Sequence, residues 1–297
     1  KEAERLRLIA EAEAKRIAAA NARKAQEAAE AAAKLAKKIE EDEKEAERLR
    51  LIAEAEAKRI ADEKAREERR KRELQECEDQ WSIDEKDELI ATGSGFVVNA
   101  NGYAITNYHV VEDCNAVSVR AGDDNLMTLL VSADPTNDLA ILRTCHQFSS
   151  HAKFRNRRYP IKQGEAIISY GFPIPSVLSW EPKINKGMVN ALEVGDDYRR
   201  IQHSAPTHGG NSGGPLFDAT GAVIGVSVAV FKKEAADKMK IIAQNINVGI
   251  KANQVTDFLQ AKRIDFTESD DGGATSTVEI ADLANKFTVM ILCYGEK

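Results

Sequence analysis

The chain changes its grammar at Gly93. Residues 1–92 contain neither glycine nor proline, whereas residues 93–297 hold all 18 glycines and all 7 prolines. These are the residues that let a backbone turn back or stop a helix. The first part therefore has no local means of reversing direction, and the second has many.

Ala, Glu, Lys, Arg and Leu dominate the first part, and these are the strongest helix formers. We expect one long helical region over 1–80. The segment KEAERLRLIAEAEAKRIA occurs there twice without a difference, at 1–18 and 44–61. An offset of 43 residues turns the second copy by only about 20° on a straight helix, so both copies face one way. Leu6, Ala10, Ala14, Ile17, Ala25, Ala28, Ala32, Leu35, Ile39, Ala46, Leu49, Ala53, Ala57 and Ile60 follow the helical period as a narrow, mostly alanine stripe. Three arrangements suit it: a coiled-coil stalk, a hairpin folded near IEEDEKE (39–45), or a free helix held by charge pairs four residues apart. The absence of a turn residue near 40 weighs against the hairpin. Continued to about residue 78, the helix would be about 115 Å long.

Residues 1–80 carry 21 basic and 22 acidic side chains, a balance of −1. That balance argues against a nucleic-acid partner, which needs a basic excess to displace counterions. The overall 43% hydrophobic and 30% charged content averages two compositions, one helical and charged, the other more apolar. No run of about 18 apolar residues exists, so no membrane-spanning helix is expected. The chain begins with Lys and shows no apolar leader, so any targeting signal is expected to be removed or to lie outside this sequence.

From Gly93 the pattern becomes short apolar or alternating runs separated by turn residues, among them GFVV, YAITN, NAVSVR, LMTLLVSA, DLAILR, GEAIISYG, GMVNALEV, RRIQHSA and AVIGVSVAV. Many short strands at this spacing predict an all-β barrel or sandwich and exclude an α/β fold.

One stretch asks for more than a turn. HGGNSGGPLF (208–217) gathers four glycines around Ser212. Glycine clusters ordinarily mark turns, and most serines in them only cap or solvate, so the stretch gains meaning only with a base and an acid elsewhere. TNYHVVEDC puts His109 directly after a strand at the start of a helical turn. NDLAIL puts Asp138 immediately before an apolar strand, with no basic residue beside it. Singly each has a dull explanation, and His146, His151, His203 and His208 supply the ordinary kind. The order His, Asp, Ser with spacings of 29 and 74 residues does not.

Residues 90–262 resemble trypsin-like serine proteases, and within them the bacterial HtrA/Deg group. The matching pieces are GSGFVV, TNYHVV, NDLAIL, GEAIISYGFP, GMVNALE, GGNSGGPLFDATGAVIGV and NINVGIKANQVTDFL. The resemblance implies a mainly β fold of two antiparallel barrels with the active site in the cleft between them, preceded here by the long helix. It implies a serine endopeptidase domain over 81–265, acting on unfolded protein or peptide substrates without metal or cofactor. It also implies a homo-oligomer, with a trimer favoured and a dimer permitted, in a periplasmic or secreted bacterial setting.

The chemistry assigns roles. A serine hydroxyl is a poor nucleophile until an imidazole takes its proton, which is the part expected of His109. A buried carboxylate must hold the imidazole's tautomer and offset its charge, the part expected of Asp138. Backbone N–H groups must already face the developing oxyanion, and the glycines around Ser212 let those of Gly210 and Ser212 converge. For substrate binding, the segments 204–208 and 227–230 contain no Asp or Glu. Pro206, Val228 and Ala229 are expected to line a small apolar pocket, and Ser227 to offer its carbonyl to the substrate strand, giving cleavage after Val, Ala, Ile or Leu.

Asn211 stands where many trypsin relatives carry the Asp that pairs with a newly cleaved N-terminus, so no such zymogen switch is expected. No PDZ domain is expected after residue 262, and 266–297 reads as a linker and tail. Its final segment FTVMILCYGEK fits an edge strand or, more simply, packing on a barrel. Cys77, Cys114, Cys145 and Cys293 allow three full pairings. A Cys114–Cys145 bridge would brace the His and Asp segments, and buried free thiols fit equally. The other function class to weigh is a catalytically silent or chaperone-like scaffold assembled by its helix. The complete set of His109, Asp138, Ser212 and glycines favours the enzyme.

Overall fold

The computed structural model describes residues 2–80, 82–84, 86–173, 180–228, 247–269 and 272–296. The chain divides into two compact units, Lys1–Arg69 and Arg70–Lys297. One uninterrupted helix, α1 (Glu2–Gln80), crosses the division, as the absence of helix breakers requires. The hairpin arrangement is thereby excluded. Exposed pairs four apart line its surface, such as Arg23 with Glu27 and Arg50 with Glu54.

The remaining elements form two closed antiparallel barrels. The first contains β1 (Glu88–Val97), β2 (Tyr103–Thr106), β3 (Ala116–Ala121), β4 (Asp124–Asp134), β5 (Leu139–Thr144) and β14 (Thr288–Gly295), in the order β1-β14-β3-β4-β5-β2. The second runs β10-β7-β8-β9-β12-β11 and closes through β10–β11; its strands are β7 (Ala166–Gly171), β8 (Lys183–Ala191), β9 (Arg200–His203), β10 (Pro215–Phe217), β11 (Val223–Val228) and β12 (Asn247–Lys251). The short strands β6 (Lys153–Arg155) and β13 (Thr267–Ser269) extend it by parallel pairing. Closure removes the open edges that a twisted sheet would otherwise expose.

Alternation along the strands fills both barrels. Phe96, Ile105, Val119, Leu139, Ile141, Val289 and Ile291 are buried in the first, and Ile167, Val189, Ile201, Leu216 and Ile224 in the second. Helix α2 (Ala252–Ala261) buries Val255, Phe258 and Leu259. Helix α3 (Thr277–Ala284) starts on a reciprocal cap between Ser276 and Glu279, the arrangement that satisfies two otherwise unpaired N-terminal donors.

Two expectations are corrected. The final segment is neither an edge strand nor a surface layer. As β14 it lies between β1 and β3, and Val289, Met290, Ile291, Leu292 and Cys293 are all buried. Burying five such side chains contributes on the order of 1.5–3 kcal/mol each, which is why the end of the chain is drawn into the barrel. Cys114 is likewise not joined to Cys145. It forms a disulfide with Cys293, 179 residues away, because Asn115 N–H bonds Tyr294 O at 2.8 Å and brings the two chain segments alongside. Cys145 is also disulfide-bonded.

Candidate active site

The His segment is built as a strand end followed by one tight turn. Thr106 closes β2, Asn107 adopts an extended conformation, and Tyr108–Val110 form a single 3-10 turn with Val110 buried beneath it. His109 is thus carried on a turn whose underside is core.

Asp138 arrives from the turn that precedes β5. That turn is cross-braced, with the Asn137 N–H and Nδ2 both donating to the Asp134 carboxylate and Arg199 Nη1 donating to Asn137 Oδ1 at 2.9 Å. Asp138 itself has φ +56°. This is left-handed backbone, costly for most side chains but open to Asp, whose short polar group bonds locally. Asn107 Nδ2 donates to the Asp138 carbonyl at 2.9 Å and fixes that conformation.

The two side chains meet. His109 Nδ1 lies 2.9 Å from Asp138 Oδ2 and 3.0 Å from Oδ1, and the His109 backbone N–H reaches Oδ1 at 3.0 Å. A carboxylate only accepts, so Nδ1 carries the proton and the neutral ring keeps its lone pair on Nε2. The side chains of His109 and Asp138 are 30% and 17% exposed, shielded enough for the pair to be strong while the ring remains reachable.

Ser212 sits on a loop strapped to both barrels. Its carbonyl accepts from Ser94 N–H of β1 at 2.8 Å. Gly213 N–H donates to Ser227 O at 2.9 Å, and Ser227 N–H to Gly214 O at 2.8 Å, tying the loop to β11. Gly213 has φ +87°, and a Cβ there would stand 2.3 Å from Thr106 Oγ1 and 3.0 Å from Asn107 N. The residue after Ser212 therefore packs directly on the approach to His109, and only glycine fits.

Just before Ser212 the backbone makes a type II turn. Asn211 N–H bonds His208 O at 3.0 Å, and Gly210, in the third position, has φ +94°. Types I and II differ by rotation of the middle peptide, here Gly209–Gly210, and type II demands positive φ at the third residue. The turn type decides which way the Gly210 N–H points.

The substrate-binding expectations are partly located. Val228 is buried in β11 opposite Val248. The Ser227 carbonyl already accepts the Gly213 N–H. Pro206 is exposed on the segment before Ser212, which is held by Thr207 Oγ1 donating to Asn247 Oδ1 at 2.7 Å. Ala229 lies outside the described residues. Beneath that segment, at the end of β9, His203 is fully buried, and burial lowers its pKa from 6.5 to about 4. Ser94, Thr106, Asn107 and Asn247 lie within GSGFVV, TNYHVV and NINVGIKANQVTDFL, but the pattern alone assigns them no chemical role. Among the described residues no cluster of His, Cys, Asp and Glu is placed to hold a metal ion.

A family described as the trypsin-like peptidase domain matches residues 93–226. The chain carries a trypsin-like peptidase domain. An uncharacterised protein of Sinorhizobium fredii is 35% identical over 214 residues, 70% of this chain and 33% of that protein. A probable periplasmic serine endoprotease, DegP-like, of Pseudomonas putida is 32% identical over 172 residues, 56% of this chain and 35% of that one. A protein of the same description from Brucella suis is 35% identical over 156 residues, 48% and 28% of the two chains. This chain spans about a third of the length of these relatives. The peptidase domain shares its fold with the serine endoprotease from Yersinia pestis, whose crystal structure aligns with TM-score 0.50 and 21% identity over 61% of this chain and 60% of that one.

Proposed function

We propose that this chain is a serine endopeptidase in which Ser212 is the nucleophile, His109 the general base and acid, and Asp138 the partner that orients the imidazole. The observation that carries the reading is the Nδ1–Asp138 hydrogen bond, which leaves Nε2 free to accept a proton. In acylation Ser212 Oγ bonds to the carbonyl carbon of the substrate while its proton passes to Nε2. Charge gathers on the former carbonyl oxygen, facing the N–H groups of Gly210 and Ser212. The imidazolium then returns the proton to the departing amine nitrogen as the C–N bond breaks, leaving an ester on Ser212. Water repeats the cycle in reverse order, releasing the acid and restoring Oγ–H.

The proposed pocket for the side chain before the scissile bond is small and apolar, with Val228 and Pro206 in its lining. A protease that cuts after Lys or Arg needs a carboxylate there, because an unpaired buried cation costs several kcal/mol, and neither 204–208 nor 227–230 offers one. Substrates are unfolded chains cut after Val, Ala, Ile or Leu. The silent-scaffold alternative has no observation in its favour.

The long helix promotes self-association. Its Leu8, Ile9, Ile17, Leu35, Ile39, Leu49, Leu51, Ile52 and Ile60 are 50–63% exposed in the single chain, an apolar load that a second or third copy would cover. A periplasmic location suits the Cys114–Cys293 disulfide, the naming of the Pseudomonas relative as periplasmic, and the lack, among the described residues, of any helix apolar enough to cross a membrane.

Mass spectrometry of products from a denatured protein tests the reading. Cuts after small aliphatic residues, absent with Ser212→Ala, support it. A product set dominated by cuts after Lys or Arg, or unchanged by Ser212→Ala, overturns it.

A further inference from the structure

We infer that Ser94, on β1 of the first barrel, is a positioning residue for the oxyanion hole, acting through the carbonyl of Gly210. The inference rests on the peptidase reading above. Ser94 is fully buried, and each of its polar groups is engaged. Its N–H donates to Ser212 O at 2.8 Å. Its carbonyl accepts from Thr106 Oγ1 at 2.7 Å. Its Oγ lies 2.9 Å from Phe172 N and 2.7 Å from Gly210 O. The direction of these last two bonds is fixed by chemistry. Phe172 N–H can only donate, so Oγ accepts there, and its single proton goes to the Gly210 carbonyl.

The consequence lies in which peptides are held. The Ser212 N–H belongs to the Asn211–Ser212 peptide. The peptides on either side of it, Gly210–Asn211 and Ser212–Gly213, both have their carbonyls bound to Ser94, one by the side chain and one by the main chain. One residue of the opposite barrel therefore brackets the donor. Gly210 needs such a restraint, because a glycine has no Cβ to limit ψ, and a part-buried carbonyl left without its donor turns to find another. The clamp also has no slack. A Cβ placed on Gly171 would stand 2.7 Å from Ser94 Oγ and 3.0 Å from Asn211 Oδ1.

Removing one oxyanion donor outright lowers kcat by about 10²–10³. Loosening a donor without deleting it is expected to cost less, roughly 10- to 100-fold. The test compares the parent chain with Ser94→Ala, and with Ser94→Cys, which keeps a side chain of similar shape but donates weakly. Rates are counted per Ser212 site titrated by a fluorophosphonate, so that loss of folded protein does not enter. The expected result is a fall in kcat with KM within about twofold, and a rise of the same factor in the inhibition constant of a peptide boronic acid, which binds Ser212 as a tetrahedral adduct. A purely structural role would lower thermal stability and leave both per-site quantities in place. Unchanged per-site kcat in a folded Ala or Cys variant, or a fall in kcat without weaker boronic acid binding, overturns the positioning role alone. Failure of the parent chain to react with the fluorophosphonate overturns the peptidase reading and the Ser94 role with it.

Discussion

His109 is held to Asp138 twice, through its ring Nδ1 at 2.9 Å and through its own backbone N–H at 3.0 Å. The double attachment fixes both the position of the turn and the tautomer of the ring. An amide in place of the carboxylate would preserve much of the first and destroy the second, because its N–H₂ can face Nδ1 only as a donor. Asp138→Asn is expected to lower kcat by about 10⁴ with the fold intact. Steady-state kinetics beside a thermal melt checks this, and a loss below tenfold would contradict the assignment of Asp138.

Gly210 holds φ +94° in the third position of its turn. An alanine there is drawn to negative φ, which converts type II to type I and swings the Gly210 N–H away from the oxyanion. Gly210→Ala is expected to reduce kcat by about 10²–10³ and to alter KM little. Equal loss in stability and no loss in kcat would show that this N–H is not a donor to the reacting oxygen.

His203 gives the second barrel an acid sensitivity. Burial lowers its pKa from 6.5 to about 4, so the unfolded chain binds the proton first as pH falls. Stability on this account is complete above about pH 6.5 and declines below it, levelling off once the pH is under about 4. At 1.36 kcal/mol per pH unit the full loss is about 3 kcal/mol. Urea unfolding at pH 7 and pH 4.5 is expected to show a steeper drop for the parent than for His203→Leu. Parallel drops in the two proteins would contradict it.

Exposed leucines and isoleucines along α1 lead to a prediction about assembly. Light scattering of the full chain is expected to give a dimer or trimer, with a trimer favoured, and of a chain starting near Asp79 a smaller assembly. Identical monomeric masses for both would leave α1 as a free helix held by its own charge pairs.

The parts of this molecule that local patterning controls were legible in the sequence. Residues 1–80, rich in helix formers and without a breaker, have little choice, and short apolar runs between turns read as a β barrel or sandwich, of which the strand order shows barrels. TNYHVV and NDLAIL single out His109 and Asp138 only when taken together with Ser212, and the structure brings these two side chains within hydrogen-bonding distance. What was not legible is non-local. β14 finds its place between β1 and β3 through pairings of residues 170 to 207 positions apart, and nothing in FTVMILCYGEK specifies them. The Cys114–Cys293 bridge follows from that same placement. Ser94 is hidden for a different reason: a serine between two glycines looks like a turn residue, and its importance lies in carbonyls 116 and 118 residues away.

The most direct test is the attachment of a serine-directed fluorophosphonate to the folded chain, read by intact mass and by peptide mapping. One adduct per chain, located on Ser212, abolished by Ser212→Ala and strongly slowed by His109→Ala, is the predicted result. No adduct on the parent chain, or one on a different residue that survives Ser212→Ala, would contradict the central claim.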